Sequence, residues 1–212
     1  MKTLLIQVIL LSAGVLLTFL LLPGLEATAL RLLKAGAGRP GWYAAVSFAV
    51  LASDILLPVP SSIVMFLNGA TLGIAGGALL SLAAGLMGSA LGYGLGAGSA
   101  RLTRRTAQAA ATGAAGRLMR RHGPVLLVAT RGIPMLAESL SLLAGHYRVG
   151  FWRSLLLSGL GYLPLSILYA VCGAQARSPD QFLPAFGLSL LLSGACFLLG
   201  RYFLRPRLAS QP

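Results

Sequence analysis

The sequence predicts an all-α polytopic membrane protein, with transmembrane helices and two opposed re-entrant helical hairpins arranged as an inverted repeat. Composition indicates the membrane: 57% of the 212 residues are hydrophobic, only 10% are charged, and the mean hydropathy is +0.83. A soluble domain has roughly a quarter of its residues charged, so most of the surface of this chain is expected to face lipid. Two apolar segments interrupted by prolines and ionisable residues indicate the hairpins.

Four apolar runs are long enough to cross a bilayer core, which takes about 20 residues. They are Leu4–Leu22, Ile74–Gly98, Phe151–Ala176 and Leu183–Leu204. No small-residue cleavage site closely follows the first run. An uncleaved helix is therefore favoured over a signal peptide, which stays the alternative.

Two further apolar stretches are broken. Residues 50–73 contain Asp54 and the run Pro58-Val59-Pro60, and residues 124–145 contain Arg131, Pro134 and Glu138. Prolines end or kink helices. Broken backbone at membrane depth is tolerated only where it is buried in protein or lines a wet cavity. Both stretches are therefore predicted to be re-entrant hairpins.

The two hairpins resemble each other in length and in their flanks. The stretch from Pro58 to Gly69 is as long as the stretch from Pro134 to Gly145, and each has a charged residue shortly upstream. Each is followed by a long helix with a glycine at the same offset, Gly85 in one and Gly161 in the other. Such internal similarity is typical of transporters built as inverted repeats.

Basic residues predict the orientation and, with it, the domain organisation. Six arginines fall between residues 101 and 121, and the positive-inside rule places them in the cytoplasm. Both termini are then cytoplasmic, and the hairpins enter from opposite faces. The predicted units are an N-terminal helix with an external linker (1–41), a core (42–176), and a C-terminal helix with a basic tail (177–212). The core divides into hairpin 50–73, helix 74–98, basic segment 99–123, hairpin 124–145 and helix 150–176.

Several functions are disfavoured. The net charge of +13 suggests nucleic acid in a soluble protein, but here the basic residues lie between apolar blocks, as membrane topology requires. Cys172 and Cys196 lie in apolar runs, and neither histidine has partners at metal-ligand spacing. We therefore expect no nucleic-acid partner, no metal, no cofactor and no enzymatic activity.

Asp54 and Glu138 are the candidate proton-coupling residues. An ionisable group at helix centre in the membrane costs about 2.5–3.5 kcal/mol on insertion scales, so it has a partner or a wet path. A titratable carboxylate in a transport path is one interpretation. The alternatives are a boundary or N-cap role for Asp54, and a pair with Arg131 that only neutralises charge.

Arg131 is the candidate substrate-binding residue, because its guanidinium fork suits a phosphate or a carboxylate. Ser61, Ser62 and Asn68 follow Pro60 and are predicted to help it, since hydroxyls and the free N–H groups of half-helices form anion cradles. The alternative is that these side chains only satisfy backbone groups that the prolines release.

The stretch from Arg131-Gly132-Ile133-Pro134 to Ala144-Gly145, followed by a basic-aromatic turn and a long helix, resembles the DedA family. This family carries the VTT domain, also called the SNARE-associated domain. Leu57-Pro58-Val59-Pro60 with Asn68-Gly69-Ala70 is similar to the family's first hairpin. The resemblance covers roughly residues 42–176, and by matching position it carries Arg131 and Pro134 over as site residues.

The chain departs from the family pattern as a divergent member. Ser61 and Ser62 stand where many members have a glutamate. Ala137 and Glu138 stand where bacterial core members carry an arginine and a threonine, and Ser141 replaces a proline.

The resemblance implies a protein that moves lipids such as undecaprenyl phosphate or phospholipids between leaflets, in dependence on the proton gradient. It also implies the bacterial cytoplasmic membrane. The first hypothesis is therefore a translocase whose partners are membrane lipids and whose substrate is an anionic phosphate lipid. A proton-coupled small-ion antiporter and a non-transporting membrane scaffold are the alternatives, and homo-oligomerisation stays open.

Overall fold

The described part of the chain is helical, and no strand occurs among its residues. The computed structural model describes residues 28, 31–33, 38–55, 61–102, 123, 126–128, 130–132 and 136–176, with a few positions between 183 and 191. The elements are α1 (Pro40–Ala52), a 3-10 turn (Ser53–Ile55), α2 (Ser61–Leu102), a second 3-10 turn (Thr130–Gly132), α3 (Leu136–His146) and α4 (Phe151–Gln175). The all-α prediction is confirmed for this part.

Within the described ranges, two helices are long and apolar enough to cross a membrane, Ser61–Arg101 within α2 and Phe151–Gln175. Their outward faces carry large exposed apolar side chains, such as Leu79 and Trp152, which is 73% exposed. The run predicted at 4–22 lies outside the described residues, and so do most residues of the run 183–204, of the N-terminal and C-terminal units and of the basic segment.

The chain reverses direction inside α2, at Gly73. This residue has φ +74°, in the left-handed region that favours glycine. Nδ2 of Asn68 donates a hydrogen bond to Oγ of Ser81 at 3.0 Å, although the two residues are 13 positions apart. A straight helix would separate them by about 20 Å. Residues 61–72 and 74–102 therefore form two antiparallel arms, and the longer one extends over about 40 Å.

α1 packs against the arm 61–72 through one polar cluster. Oδ1 of Asn68 accepts hydrogen bonds from the Tyr43 hydroxyl at 3.1 Å and from Oγ of Ser47 at 2.6 Å. The two helices run antiparallel, because only five residues, 56–60, separate the 3-10 turn from the start of α2. α1 has 13 residues and is only about 20 Å long, so it is shorter than a bilayer core of about 30 Å.

α3 follows the second 3-10 turn after a similarly short gap, residues 133–135. It has 11 residues and a length of about 17 Å. Both halves of the described chain therefore place a 3-10 turn and a short gap before a short helical arm. Pro58, Pro60 and Pro134, the prolines that predict the breaks, lie in these gaps and outside the described residues.

The C-terminal end of α3 has the hydrogen bonds of a Schellman motif. The Val149 N–H donates to the carbonyl of Ala144, and the Arg148 N–H donates to the carbonyl of Gly145. Arg148 has φ +53°, in a position that usually holds glycine. Tyr93 adds a bond from its hydroxyl to the Val149 carbonyl at 2.5 Å. This cap fixes the turn between α3 and α4.

The arm 61–72 touches α4 backbone to backbone. A Cβ atom at Gly69 would collide with the backbone of Ala170, and a Cβ atom at Gly173 would collide with the carbonyl of Phe66. We call this pair, Gly69 and Gly173, the first glycine contact. Around it, Tyr169 packs in one buried apolar cluster with residues of α1 and of both arms of α2.

The same kind of contact joins α3 to the arm 74–102. A Cβ atom at Gly145 would collide with the carbonyl of Tyr93, and a Cβ atom at Gly96 would collide with the carbonyl of Leu142. We call Gly96 and Gly145 the second glycine contact, and the second buried apolar cluster surrounds it. Each short arm is thus attached to the long helix of the other half of the chain.

Candidate functional site

Two small adjoining cavities lie where the two halves meet, and Arg131, Glu138 and Tyr162 line both. Ser61 and Ser62 line the first cavity, with Tyr169 beside them. Asp54 and Ser89 line the second. Their volumes, about 20 Å³ and 10 Å³, are close to the space that a single water molecule needs. A larger ligand therefore requires the cavities to open.

Arg131 lies between the cavities and is only 7% exposed. It projects from the second 3-10 turn. Its Nε donates to the carbonyl of Leu127 at 3.2 Å, and its Nη2 donates to Oγ of Ser141 at 3.1 Å and to Oγ of Ser158. The guanidinium also lies over the ring of Tyr162, 4.8 Å from the ring centroid. These contacts hold a permanent cation in place.

Two glycines make room for this arrangement. A Cβ atom at Gly161 would lie 2.6 Å from Cγ of Arg131, and a Cβ atom at Gly85 would lie 3.0 Å from the ring of Tyr162. Any larger residue at either position would displace the guanidinium or the ring under it. The equal offset of these glycines in the sequence therefore has a structural counterpart, since both adjoin the Arg131 site.

Two carboxylates accompany Arg131. Asp54 is partly buried in the first 3-10 turn, and Glu138 is partly buried in the first turn of α3, with its Oε2 atom buried. A carboxylate in a first turn is favoured by the helix dipole. The structure thus brings Asp54 to adjoining cavities with Arg131 and Glu138, which lie more than 70 residues later in the sequence.

Ser61 and Ser62 begin the arm 61–72 and line the cavity that Arg131 and Glu138 share. Both are half-buried. The first N–H groups of a helix have no partner within that helix, so this end of α2 adds backbone donors to the two hydroxyls. Such an arrangement is suited to an anion near Arg131.

Asn68 occupies a different place. Its side chain is fully buried among Tyr43, Ser47 and Ser81, and the described hydrogen bonds engage both its oxygen and its nitrogen. This geometry favours a packing role that joins α1 to both arms of α2. Its predicted role in substrate binding stays a prediction. Pro134 lies outside the described residues, so the structure does not place it.

Sequence reasoning did not single out Tyr162 and Ser158. Both belong to α4 and lie one helical turn apart, so they project from the same face toward Arg131. A signal was present, because Ser154, Ser158, Tyr162 and Ser166 recur every four residues in an otherwise apolar helix. Three of them, Ser154, Ser158 and Ser166, are buried.

Residues that commonly bind metals are not clustered in the described part of the chain. No group of three or more His, Cys, Asp or Glu residues lies close enough there to hold a metal ion. His146 instead shares a 3.0 Å hydrogen bond with Ser99, on the arm 74–102.

Comparison with known families finds a match. The VTT domain family matches residues 59–175, a stretch that includes α2, Arg131, α3 and all of α4. No curated protein and no solved structure matches the chain.

Proposed function

Because the chain belongs to the VTT-domain family of DedA-type membrane proteins, whose match covers more than half of it, we propose that it moves a phosphate-bearing lipid between membrane leaflets. The single observation that carries this proposal is the placement of Arg131. A buried guanidinium with hydroxyl groups and two carboxylates around it lies between two short helical arms. An ionisable group at membrane depth marks a substrate or ion path by default.

The helical arms are proposed to be re-entrant hairpins in an inverted repeat. Their lengths support this, because α1, the arm 61–72 and α3 are each shorter than a bilayer core. The glycine contacts support the repeat. Phe66, Gly69 and Ala70 in the arm 61–72 face α4. Leu142, Gly145 and His146 in α3 face the arm 74–102, and the spacing between these three residues is the same as in the first set. Inverted repeats place the substrate site between the halves, where Arg131 lies.

In the proposed mechanism, Arg131 binds the lipid phosphate with the help of the Ser61 and Ser62 hydroxyls. The paired hairpins open the small cavities alternately to each leaflet. Asp54 and Glu138 exchange protons and so couple transport to the proton gradient. The chain carries no nucleotide-binding motif, so ion gradients or mass action would supply the energy. The proposed location is the bacterial cytoplasmic membrane, with both termini in the cytoplasm.

Leaflet exchange of labelled phospholipid and polyprenyl phosphate in proteoliposomes tests this function. We expect the wild-type protein to exchange lipid faster than empty liposomes do. The exchange rate of Arg131→Ala should be at least about tenfold lower than that of the wild type, because one buried charged contact contributes more than 1.4 kcal/mol. Arg101→Ala is the matched control, since Arg101 is exposed at the end of α2. Equal rates for Arg131→Ala and wild type would contradict the proposal.

The two carboxylates favour a second candidate, a proton-coupled small-ion antiporter. Asp54 and Glu138 line the same cavity system as Arg131, and paired acids at membrane depth are typical of proton relays. Dye-quench assays in inverted vesicles distinguish this function. A cation-driven proton signal that disappears in Asp54→Asn, without any lipid exchange, would support the antiporter.

A further inference from the structure

The turn between α3 and α4 exposes two arginines and two aromatic rings. Arg148, Phe151, Trp152 and Arg153 are all exposed, and Trp152 is the most open of the large apolar side chains that the structure describes. We call these four residues the turn surface. It carries two positive charges, and the first turn of α4 contains no acidic residue.

The turn surface is separate from the two cavities. Glu138 lies in the first turn of α3, whereas Arg148 follows the last turn of the same helix, about 15 Å away along its axis. The acids among the described residues, Asp54 and Glu138, both line a cavity. The charges of the turn surface therefore belong to a different part of the molecule.

Both arginines occupy positions that do not stabilise their own elements. Arg148 has φ +53°, in the left-handed region that glycine adopts more readily. Arg153 lies in the first turn of α4, where the helix dipole disfavours a cation. Membrane topology needs positive charge near this turn, but it does not need an arginine at the left-handed position. An anionic partner at the turn surface accounts for both placements.

The arm 74–102 holds the turn surface in shape. The Tyr93 hydroxyl donates to the Val149 carbonyl at 2.5 Å, and the Tyr93 ring packs edge to face on Phe151 at a centroid distance of 5.3 Å. Phe151 packs on Trp152 in the same way, also at 5.3 Å. Because these side chains are already in place, a ligand loses little free energy in ordering them.

The length of α4 brings the turn surface to the level of lipid head groups. The helix has 25 residues and extends over about 37 Å, which exceeds a bilayer core of about 30 Å. Trp152, Leu156 and Leu160 are exposed at intervals of four residues, so an apolar stripe begins at Trp152. Tryptophan is enriched at the boundary between the core and the head groups.

We propose that the turn surface binds anionic lipids of the surrounding membrane, with their phosphates at Arg148 and Arg153 and Trp152 beside them. Guanidinium groups bind phosphate oxygens in pairs. A zwitterionic lipid also carries an ammonium, which the two arginines repel, so anionic lipids are preferred. These lipids surround the protein and are not its cargo. The inference is therefore independent of the proposed lipid exchange.

Tryptophan fluorescence tests the preference. The chain has two tryptophans, Trp42 and Trp152, so in Trp42→Phe the emission comes from the turn surface alone. The full-length variant is placed in phosphatidylcholine vesicles with a minor fraction of acyl-brominated phosphatidylglycerol or the same fraction of acyl-brominated phosphatidylcholine. We expect quenching to give at least about a fivefold preference for phosphatidylglycerol, the ratio that about 1 kcal/mol gives.

Variants in the same background assign the preference to the two arginines. Arg148→Gly suits the left-handed backbone, and together with Arg153→Gln it should bring the ratio close to one. Arg39→Gln is the matched control, because Arg39 is exposed at the start of α1 and lies outside the turn surface. It removes one positive charge and should leave the ratio unchanged.

The parent Trp42→Phe measurement decides the inference even where a further variant fails to fold. Equal quenching by the two brominated lipids, or no quenching by either, would overturn it. A preference that persists in the double arginine variant, or that falls as much in Arg39→Gln, would overturn the assignment to Arg148 and Arg153. Failure of lipid exchange would overturn the proposed function and leave this inference standing.

Discussion

The guanidinium of Arg131 is held by its edges and by one face, so its orientation depends on neighbours in three elements. Nε is tied to Leu127, Nη2 is tied to Ser141 and Ser158, and the planar face lies on Tyr162. A lysine has the charge but neither the fork nor the flat face. The chemistry of the site therefore depends on residues that need not touch the lipid.

Tyr162 provides the first prediction at this scale. Tyr162→Leu removes the ring under the guanidinium, which contributes about 0.5–2 kcal/mol as a cation–π contact. We expect lipid exchange to fall by roughly twofold to thirtyfold. Tyr162→Phe keeps the ring and serves as the control, with exchange close to wild type. Equal losses in the two variants would show that the hydroxyl, rather than the ring, is what matters.

Gly85 provides a second, coupled prediction. A methyl group at this position would lie 3.0 Å from the Tyr162 ring, so Gly85→Ala should displace the ring and slow exchange. In a Tyr162→Leu background the same substitution should have little further effect, because both act on one contact. A double-mutant cycle of exchange rates measures this. Strictly additive effects of Gly85→Ala and Tyr162→Leu on the exchange rate would show that Gly85 does not act through the Tyr162 ring.

At the scale of the elements, the glycine contacts join the two halves. Gly96→Ala places a methyl group against the carbonyl of Leu142 and should destabilise the protein by about 1–3 kcal/mol or more. A methyl group at Gly94, two residues away, would meet no atom within 4 Å. Gly94→Ala should therefore be neutral or stabilising by up to about 1 kcal/mol. Thermal unfolding in detergent compares Gly96→Ala with Gly94→Ala. Equal melting temperatures for the two variants would contradict the close contact of Gly96 with α3.

The polar cluster around Asn68 gives the other prediction for the elements. Asn68→Ala leaves hydroxyls of Tyr43, Ser47 and Ser81 without their bonds to the amide, at a cost of about 1–3 kcal/mol. We expect a lower melting temperature with the exchange rate per folded molecule unchanged. A loss of exchange at unchanged stability would instead support the predicted role of Asn68 in substrate binding.

For the molecule as a whole, the sequence was sufficient to single out the charged residues that the structure brings to the two cavities. Asp54, Arg131 and Glu138 stand out because ionisable groups are rare in apolar segments, and the structure places them at adjoining cavities. Tyr162 and Ser158 were missed, since a hydroxyl on an apolar helix does not reveal whether it bonds its own backbone or a distant arginine. Asn68 was predicted to bind substrate because it follows Pro60 in the sequence. Its contacts depend instead on the reversal of the chain at Gly73.

The helical class could likewise be predicted, because apolar runs of sufficient length allow few other structures in lipid. The backbone contacts between the halves could not. Glycines recur along α2 at positions 69, 73, 76, 77, 85, 88, 92, 94, 96 and 98, and spacing alone does not distinguish Gly96, which meets α3, from Gly94, which meets nothing within 4 Å. The re-entrant hairpins and their entry from opposite faces stay predictions.

The first glycine contact has a consequence for synthesis. Gly69 meets Ala170, about 100 residues later, so at translation rates of about 5–20 residues per second the arm 61–72 waits roughly 5–20 s for its partner. The bonds of Asn68 to Tyr43, Ser47 and Ser81 involve only residues that are made early. This cluster can therefore close while the ribosome is still translating, and it would hold α1 and the two arms of α2 together until α4 is synthesised.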